Sequence, residues 1–188
     1  MIEIDYSKYY WKNDIITLRQ PIESDWEAQV RCMFDSEARF LFNEEIEMPT
    51  DLEIYRKNFI ENADKDLGYK CFAIENNEGK HVGLCNLFGV NERNGTFGPI
   101  GIQIDVGERG KGYGFAAYRM LGKYMFNERR MHKWNNGYIE GNIGSAALHK
   151  KIGFEIEGVQ KDMYFHEGRY WNQVICGITE KQFFEKNK

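Results

Sequence analysis

Between Gly107 and Gly114 the chain reads Gly-Glu-Arg-Gly-Lys-Gly-Tyr-Gly, directly ahead of a segment in which Ala117, Met120, Leu121, Tyr124 and Met125 recur at helical spacing. Glycines let backbone approach a ligand closely, and the first amides of a helix have no partner within it. Such amides, together with the helix dipole, attract an anion, and Arg109 and Lys111 add two cations beside them. The chemistry expected of Arg109, Gly110, Lys111, Gly112, Tyr113 and Gly114 is therefore phosphate binding. A P-loop would need Ser or Thr after the Gly-Lys pair, where Gly112 stands. A dinucleotide site would need a different glycine spacing and an acid where Arg129-Arg130 stand. Alone, the run supports a phosphate at a helix start or a purely structural loop.

The elements that must position this loop follow from periodicity. Ile100, Ile102, Ile104 and Val106 alternate with small or polar residues, which predicts a strand with one buried face. Residues 14–20 predict a first strand, and residues 24–34 a helix with Ser24 and Glu27 in capping-box spacing. Phe40-Leu41-Phe42 reads as loop, before a second helix starting near Thr50 or Asp51. Two strands joined at Asn77-Glu78-Gly79 come next, then a turn at Asn94-Gly95. After the glycine-led helix come a weak strand over residues 133–140 and a helix over 142–152 stopped by Gly153. The closing strands are residues 154–159 and a hairpin turning at Glu167-Gly168. The pattern is a mixed α/β domain with a largely antiparallel first half.

Composition narrows the function classes. With 188 residues, 42% hydrophobic, the chain suits one sizeable core. Its net charge of −4 argues against a nucleic-acid binder held by bulk electrostatics. No apolar run of roughly 20 residues predicts a membrane span, and the first residues lack the pattern of a signal peptide. Cys32, Cys71, Cys85 and Cys176 are scattered, as expected of free thiols in a reducing cytoplasm rather than of a metal site or a disulfide scaffold. The charge is uneven. Asp35 to Asp66 holds ten acids against four bases, and Arg109 to Lys133 holds seven bases against Glu128. One end suits a cation and the other an anion, unless both are merely solvated faces.

Arg109-Gly110-Lys111-Gly112-Tyr113-Gly114 resembles the Gln/Arg-x-x-Gly-x-Gly/Ala motif of the GCN5-related N-acetyltransferases (GNAT), whose loop cradles the diphosphate of acetyl-CoA. Residues 142–159 resemble that family's second motif, Asn-x-x-Ser/Ala followed by Leu-Tyr and Gly-Phe. Residues 162–178 and 18–26 are similar to its ribosomal-protein- and spermidine-acetylating branch. The resemblance runs from about Thr17 onward, and two spaced motifs in the right order make it specific. It implies a GNAT fold: α/β (α+β), one domain over 1–188 with its core in 15–180, and a central mixed, mostly antiparallel twisted sheet flanked by helices.

Acetyl transfer to an amine sets its own requirements. An alkylammonium with a pKa of about 10.4 must lose a proton before its nitrogen can attack. The thioester oxygen gathers negative charge and needs fixed N–H donors, and the departing thiolate takes up a proton. The resemblance implies that the strand before the glycine loop diverges from the next, with the pantetheine arm between them. Ile104 and Val106 would then offer backbone contacts, Arg109 to Gly114 the diphosphate site, and Asn142 and Ser145 the flanks of the arm. Where the family carries the tyrosine that protonates the thiolate, this chain has His149. An unshifted histidine, with a pKa near 6.5, is mostly neutral at pH 7. His149 would serve as acid if a carboxylate raises its pKa or through its neutral N–H. It would equally serve as base, or only pack. The carboxylates nearest for a base are Asp105 and Glu140, and Asp105 should face away from the isoleucines. Deprotonation through water is the remaining route.

The acidic stretch around Glu44, Glu45, Glu47 and Asp51 would draw in a cationic amine, or is a solvated loop. Trp26, Phe40, Phe42, Tyr164 and Trp171 line an apolar slot or fill core. The expected function is N-acetyl transfer from acetyl-CoA, the cosubstrate, to a primary amine of a small molecule such as a polyamine or aminoglycoside, or to a protein N-terminus. No metal, nucleic acid or membrane is expected as partner, and the resemblance adds a homodimer. The alternatives are another acyl-CoA donor and a CoA-binding sensor without turnover.

Overall fold

The structure, a computed structural model, describes residues 5–46, 48–63 and 70–188. Of the acidic stretch, Glu47, Asp64 and Asp66 lie outside the described residues, as does Lys65. The elements run β1 (Ile16–Arg19), α1 (Trp26–Met33), α2 (Ser36–Asn43), α3 (Leu52–Ala63), β2 (Lys70–Asn76), β3 (His81–Leu87), β4 (Thr96–Phe97) and β5 (Ile100–Ile104). They continue with α4 (Tyr113–Lys123), β6 (Lys133–Ile139), α5 (Ile143–Ile152), β7 (Glu155–His166), β8 (Arg169–Thr179) and α6 (Glu180–Lys186).

The mixed, mostly antiparallel architecture is as expected, but the strands divide into two sheets. One has the order β1-β2-β3-β5 and is antiparallel throughout; the other has the order β4-β6-β8-β7, with only the short β4–β6 pair parallel. The division falls at Gly98-Pro99. Phe97 is still paired with Trp134 of β6, whereas Ile100 is already paired with Leu87 of β3. Pro99 has no N–H to offer a ladder. Gly98, at φ +107°, runs so close to β6 that a Cβ there would stand 1.9 Å from the carbonyl oxygen of Asn135. β5 and β6 therefore start side by side and then part into a V. At its closed end the carbonyl of Ile100 accepts hydrogen bonds from the Tyr118 hydroxyl at 2.6 Å and from Asn136 Nδ2 at 3.2 Å.

The core sits behind this V. Trp134 is fully buried, its ring centroid 5.2 Å from Phe97, 5.0 Å from Tyr118 and 4.9 Å from Phe154. Such pairs add roughly 0.5–1.5 kcal/mol each beyond the area they bury. Ala117, Met120, Leu121 and Met125 of the helix after the glycines are buried, as their spacing predicts. Gly153, at φ +106°, ends α5 as expected.

Several local expectations give way to tertiary contacts. Ser24 and Glu27 form no capping box. Instead Asp25 accepts the Ile22 N–H at 2.8 Å and also takes the Arg19 guanidinium through two bonds of 2.7 and 3.0 Å, charge-assisted bonds stronger than those between neutral groups. Phe40-Leu41-Phe42 lies in helix α2, not in a loop, since Asp35 Oδ1 caps it by accepting from Ala38 N–H at 3.0 Å. Residues 154–166 were expected to break into two strands. They run as one, β7, whose pairing shifts between Ile156 and Gly158 and between Gln160 and Tyr164. Helix α6 was not anticipated. Thr179 and Gln182 cap it reciprocally, and its buried Phe183 lies where a Cβ on Gly122 would stand only 2.7 Å away.

Candidate active site

The glycine loop arrives at α4 from a short 3-10 turn, Val106–Glu108. Val106 thus leaves the strand and is 63% exposed rather than continuing the half-buried face of Ile104. Gly112 is the N-cap of α4 at φ +89°, and no side chain caps the first turn. The Ala116 N–H takes the Gly112 carbonyl at 3.0 Å, and the amides ahead of it are those a helix leaves without an internal partner. A Cβ on Gly107, Gly110 or Gly112 would meet nothing within 4 Å. Protein packing does not require these glycines. The positive φ of Gly110 and Gly112 does, and it leaves open space over a rim of N–H groups that fits a diphosphate. The cations beside it are held. Lys111 Nζ donates to Glu108 at 2.8 Å, and Lys80 does so at 2.6 Å. The bonds from Lys111 and Lys80 keep the Glu108 carboxyl below its usual range. Arg109 Nε donates to the Ile104 carbonyl at 3.1 Å, and its guanidinium stands 3.7 Å from Asp35.

The second motif opens α5. Asn142 Oδ1 accepts the Ser145 N–H at 3.0 Å, and one turn on His149 is buried, 3% exposed. Its Nδ1 lies 2.7 Å from the Ser145 carbonyl and 3.2 Å from the Ser145 hydroxyl. A carbonyl only accepts, so this bond assigns the proton to Nδ1 and leaves Nε2 a bare acceptor. Nε2 is buried without a hydrogen-bond partner. Burial lowers the His149 pKa against the weaker opposing pull of the Ser145 carbonyl, so the ring is neutral at pH 7. Its neighbours are aromatic rather than acidic: Tyr118 at 5.7 Å, Tyr138 at 5.3 Å and Phe154 at 4.9 Å between centroids.

The three residues singled out for proton transfer each keep separate company. Asp105 faces away from the isoleucines as expected, with its carboxylate 3.3 Å from His81 Nδ1 and 3.9 Å from the Cys32 thiol of α1. Ile102 and Ile104 turn the other way, toward Gly114 of α4. Glu140 is exposed and accepts from Asn172 Nδ2 at 2.7 Å. Tyr138, which sequence patterning did not single out, is the hydroxyl-bearing residue of β6 that faces His149, and burial raises its pKa.

A third wall comes from α2 and the β7–β8 hairpin. Phe40 stacks on His166 at 3.9 Å and lies 6.1 Å from Trp171, and the Arg169 guanidinium sits 3.7 Å over the Trp171 ring. Phe42 covers Gly101 of β5, where a Cβ would stand 3.2 Å from its ring. Glu44, at the end of α2, accepts from the Tyr164 hydroxyl at 2.8 Å. Burial and that bond raise the Tyr164 pKa. Four of the five aromatics left open between slot and core thus gather beside the V with an acid among them; Trp26, half-buried, opens α1 instead. The signal for α2 was present in Asp35-Ser36-Glu37, a helix-start composition that the apolar run after it obscured.

Diverging strands thus stand beside an uncapped, glycine-led helix, with a second, capped helix closing on the same gap. The sequence profile of the acetyltransferase (GNAT) domain matches residues 16–155, and the chain belongs to this family of N-acetyltransferases, enzymes that use acetyl-CoA. It is 28% identical over 176 residues to a prophage-derived uncharacterized N-acetyltransferase of Bacillus subtilis, spanning 93% of this chain and 95% of that one. It is 24% identical over 153 residues to the spermidine N(1)-acetyltransferase of Escherichia coli, spanning 80% and 77%. Spermidine N-acetyltransferase from Vibrio cholerae, solved in complex with CoA and spermine, shares the fold at a TM-score of 0.77 and 20% identity, over 92% of this chain and 99% of that one. Among the described residues no helix is long and apolar enough to cross a membrane, and no group of three or more His, Cys, Asp or Glu is placed to hold a metal ion.

Proposed function

We propose that this protein acetylates a primary amine of a cationic small molecule, a polyamine being the model acceptor, and that the whole chain acts as one catalytic unit. The observation that carries the reading is the open rim of amides from Gly110 to Gly114 at the mouth of the V. In this reading Arg109, Gly110, Lys111, Gly112, Tyr113 and Gly114 hold the diphosphate of acetyl-CoA. The backbone at Ile104 and Val106 and the side chains of Asn142 and Ser145 line the arm, and the thioester lies between β5 and β6. The amine enters along α2 and the hairpin, where the exposed Glu44 carboxylate favours a cation.

The separate partners of Asp105 and Glu140 favour loss of the amine proton through water. His149, neutral and buried, packs against Tyr118 and Tyr138 and so positions Tyr138 beside the gap rather than meeting the amine itself. As the nitrogen–carbon bond forms and the carbon–sulfur bond breaks, the thiolate needs a proton that His149 does not offer, its own being held by the Ser145 carbonyl. Tyr138, which burial keeps protonated, is the donor we assign, and solvent restores its proton.

Calorimetry with CoA and a thiol-release assay over spermidine, aminoglycosides and ribosomal N-terminal peptides test this. CoA is expected to bind, and acetyl-CoA to turn over best with a small polycation. His149→Ala and Tyr138→Phe are expected to keep CoA affinity and lose turnover. CoA binding without turnover on any amine would favour a sensor, and faster turnover with another acyl-CoA such as succinyl-CoA would reassign the donor. A protein that binds no CoA species overturns the reading. The four free thiols suit a reducing compartment, which we take to be the cytoplasm. A spermidine N-acetyltransferase from Vibrio cholerae has a dodecameric structure at a TM-score of 0.71 to this fold. We extend self-association to this chain, at least as a homodimer, to be read by sedimentation.

A further inference from the structure

Two side chains that cap their own helices each reach across to a neighbour with the atom left over. Asp35 caps α2 with Oδ1, and its Oδ2 stands 3.7 Å from Nη2 of Arg109. Asn142 caps α5 with Oδ1, and its Nδ2 donates to the Leu41 carbonyl of α2 at 3.4 Å. Helix α2 is thus bracketed. Its first residues are tied to the glycine loop and its last turn to the second motif, while Phe40, Phe42 and Glu44 on it form part of the acceptor wall.

On the reading that Arg109 to Gly114 hold the donor's diphosphate, we infer that Asp35 is a positioning residue that competes with the donor for Arg109 and thereby couples donor binding to the placement of α2. The pair is partly exposed, 48% at Arg109 and 32% at Asp35. A contact of that kind is weak, and a diphosphate carrying more charge displaces the carboxylate. Once Arg109 turns to the phosphates, α2 loses its tie to the glycine loop and keeps those to Asn142 and Tyr164. The acceptor wall then differs between the donor-free and donor-bound protein, and by linkage the acceptor and the donor each alter the other's affinity.

Asp35→Asn tests this without uncapping α2, because Asn caps a helix as well as Asp does. CoA is titrated calorimetrically into the wild type, Asp35→Asn, Arg109→Gln and the double variant, with circular dichroism to confirm unchanged helix content. Asp35→Asn is expected to bind CoA roughly two- to fivefold tighter than the wild type, and to change nothing in the Arg109→Gln background. The wild-type acceptor KM is expected to vary with acetyl-CoA concentration, and that dependence to flatten in Asp35→Asn. Equal or weaker CoA binding by Asp35→Asn means that Asp35 only caps, and the same gain in both backgrounds means a diffuse charge effect. Either overturns the inference while leaving the donor site standing. A wild type that binds no CoA overturns the donor site itself.

Discussion

The donor side and the acceptor side proposed for this V are built in different ways. The proposed donor side is made of backbone. Gly110 and Gly112 at positive φ, the uncapped start of α4 and the Asn142 cap of α5 lie within a few residues of one another along two short segments. The acceptor side is made of side chains from distant parts of the chain. Tyr164 meets Glu44 across 120 residues, and Phe40 meets His166 across the gap between α2 and the β7–β8 hairpin. A diphosphate presents the same charge and shape whichever acceptor is used, so a local amide motif can bind it. An acceptor is recognised by the spacing of its charges and its apolar length, which is set by whichever side chains the fold brings face to face. Substitutions should therefore act sharply on the donor side and by degrees on the acceptor side.

The largest effect is expected where both sides depend on one residue. Gly98→Ala puts a Cβ 1.9 Å from the Asn135 carbonyl at a φ that side chains rarely adopt, so the joint between the sheets must move. A loss of roughly 3 kcal/mol or more in urea denaturation is expected, together with loss of both ligand sites. Wild-type stability for this variant would mean that the V does not hinge there. Next comes Gly112→Val, which strains the N-cap of α4 and fills the open space over its amides. CoA affinity should weaken by at least about tenfold in calorimetry, while a thermal melt shows only the roughly 1–2 kcal/mol of left-handed strain. A loss in stability with no loss in CoA binding would move the diphosphate elsewhere. Glu44→Gln should raise the KM for a polyamine roughly threefold at unchanged CoA affinity. If CoA binding shifts as much as KM, the two sides are not separable as described.

The smallest expected effect is on pH dependence. Burial lowers the His149 pKa in the folded protein below its ordinary value of about 6.5. Between the folded and unfolded values the unfolded chain binds the extra proton. This stabilising contribution is therefore complete above about pH 6.5 and is lost as pH falls below it. The midpoint of denaturation, followed from pH 7.5 to 5.5, should decline in the wild type and decline less in His149→Phe. Parallel curves would mean that His149 is not desolvated, and its buried, neutral state would lapse with that.

Most elements were legible because they carry their own period. The alternation of Ile100, Ile102 and Ile104 marked β5, the spacing from Ala117 to Met125 marked α4, and Gly153 marked the end of α5. Expectations lapsed where a contact outside the local pattern decided the outcome. Asp25, which binds both Arg19 and the Ile22 amide, takes the place expected of Ser24 and Glu27, and Val106 left the strand once the chain turned toward the loop. The position of His149 could be read from the second motif, but its state could not. Its neutrality comes from burial among Tyr118 of α4, Tyr138 of β6 and Phe154, the residue before β7.

By itself, the order of residues determined the glycine loop, the two helix starts beside it and the family, because bare backbone at a helix mouth and a capping side chain are properties of neighbours in the chain. Only the tertiary structure decided that the sheet opens between β5 and β6, that His149 is buried as an acceptor, and that Glu44, Tyr164 and Phe40 share one wall. Each of these depends on desolvation or close contact between segments tens of residues apart, and no local pattern of residue types records such contacts.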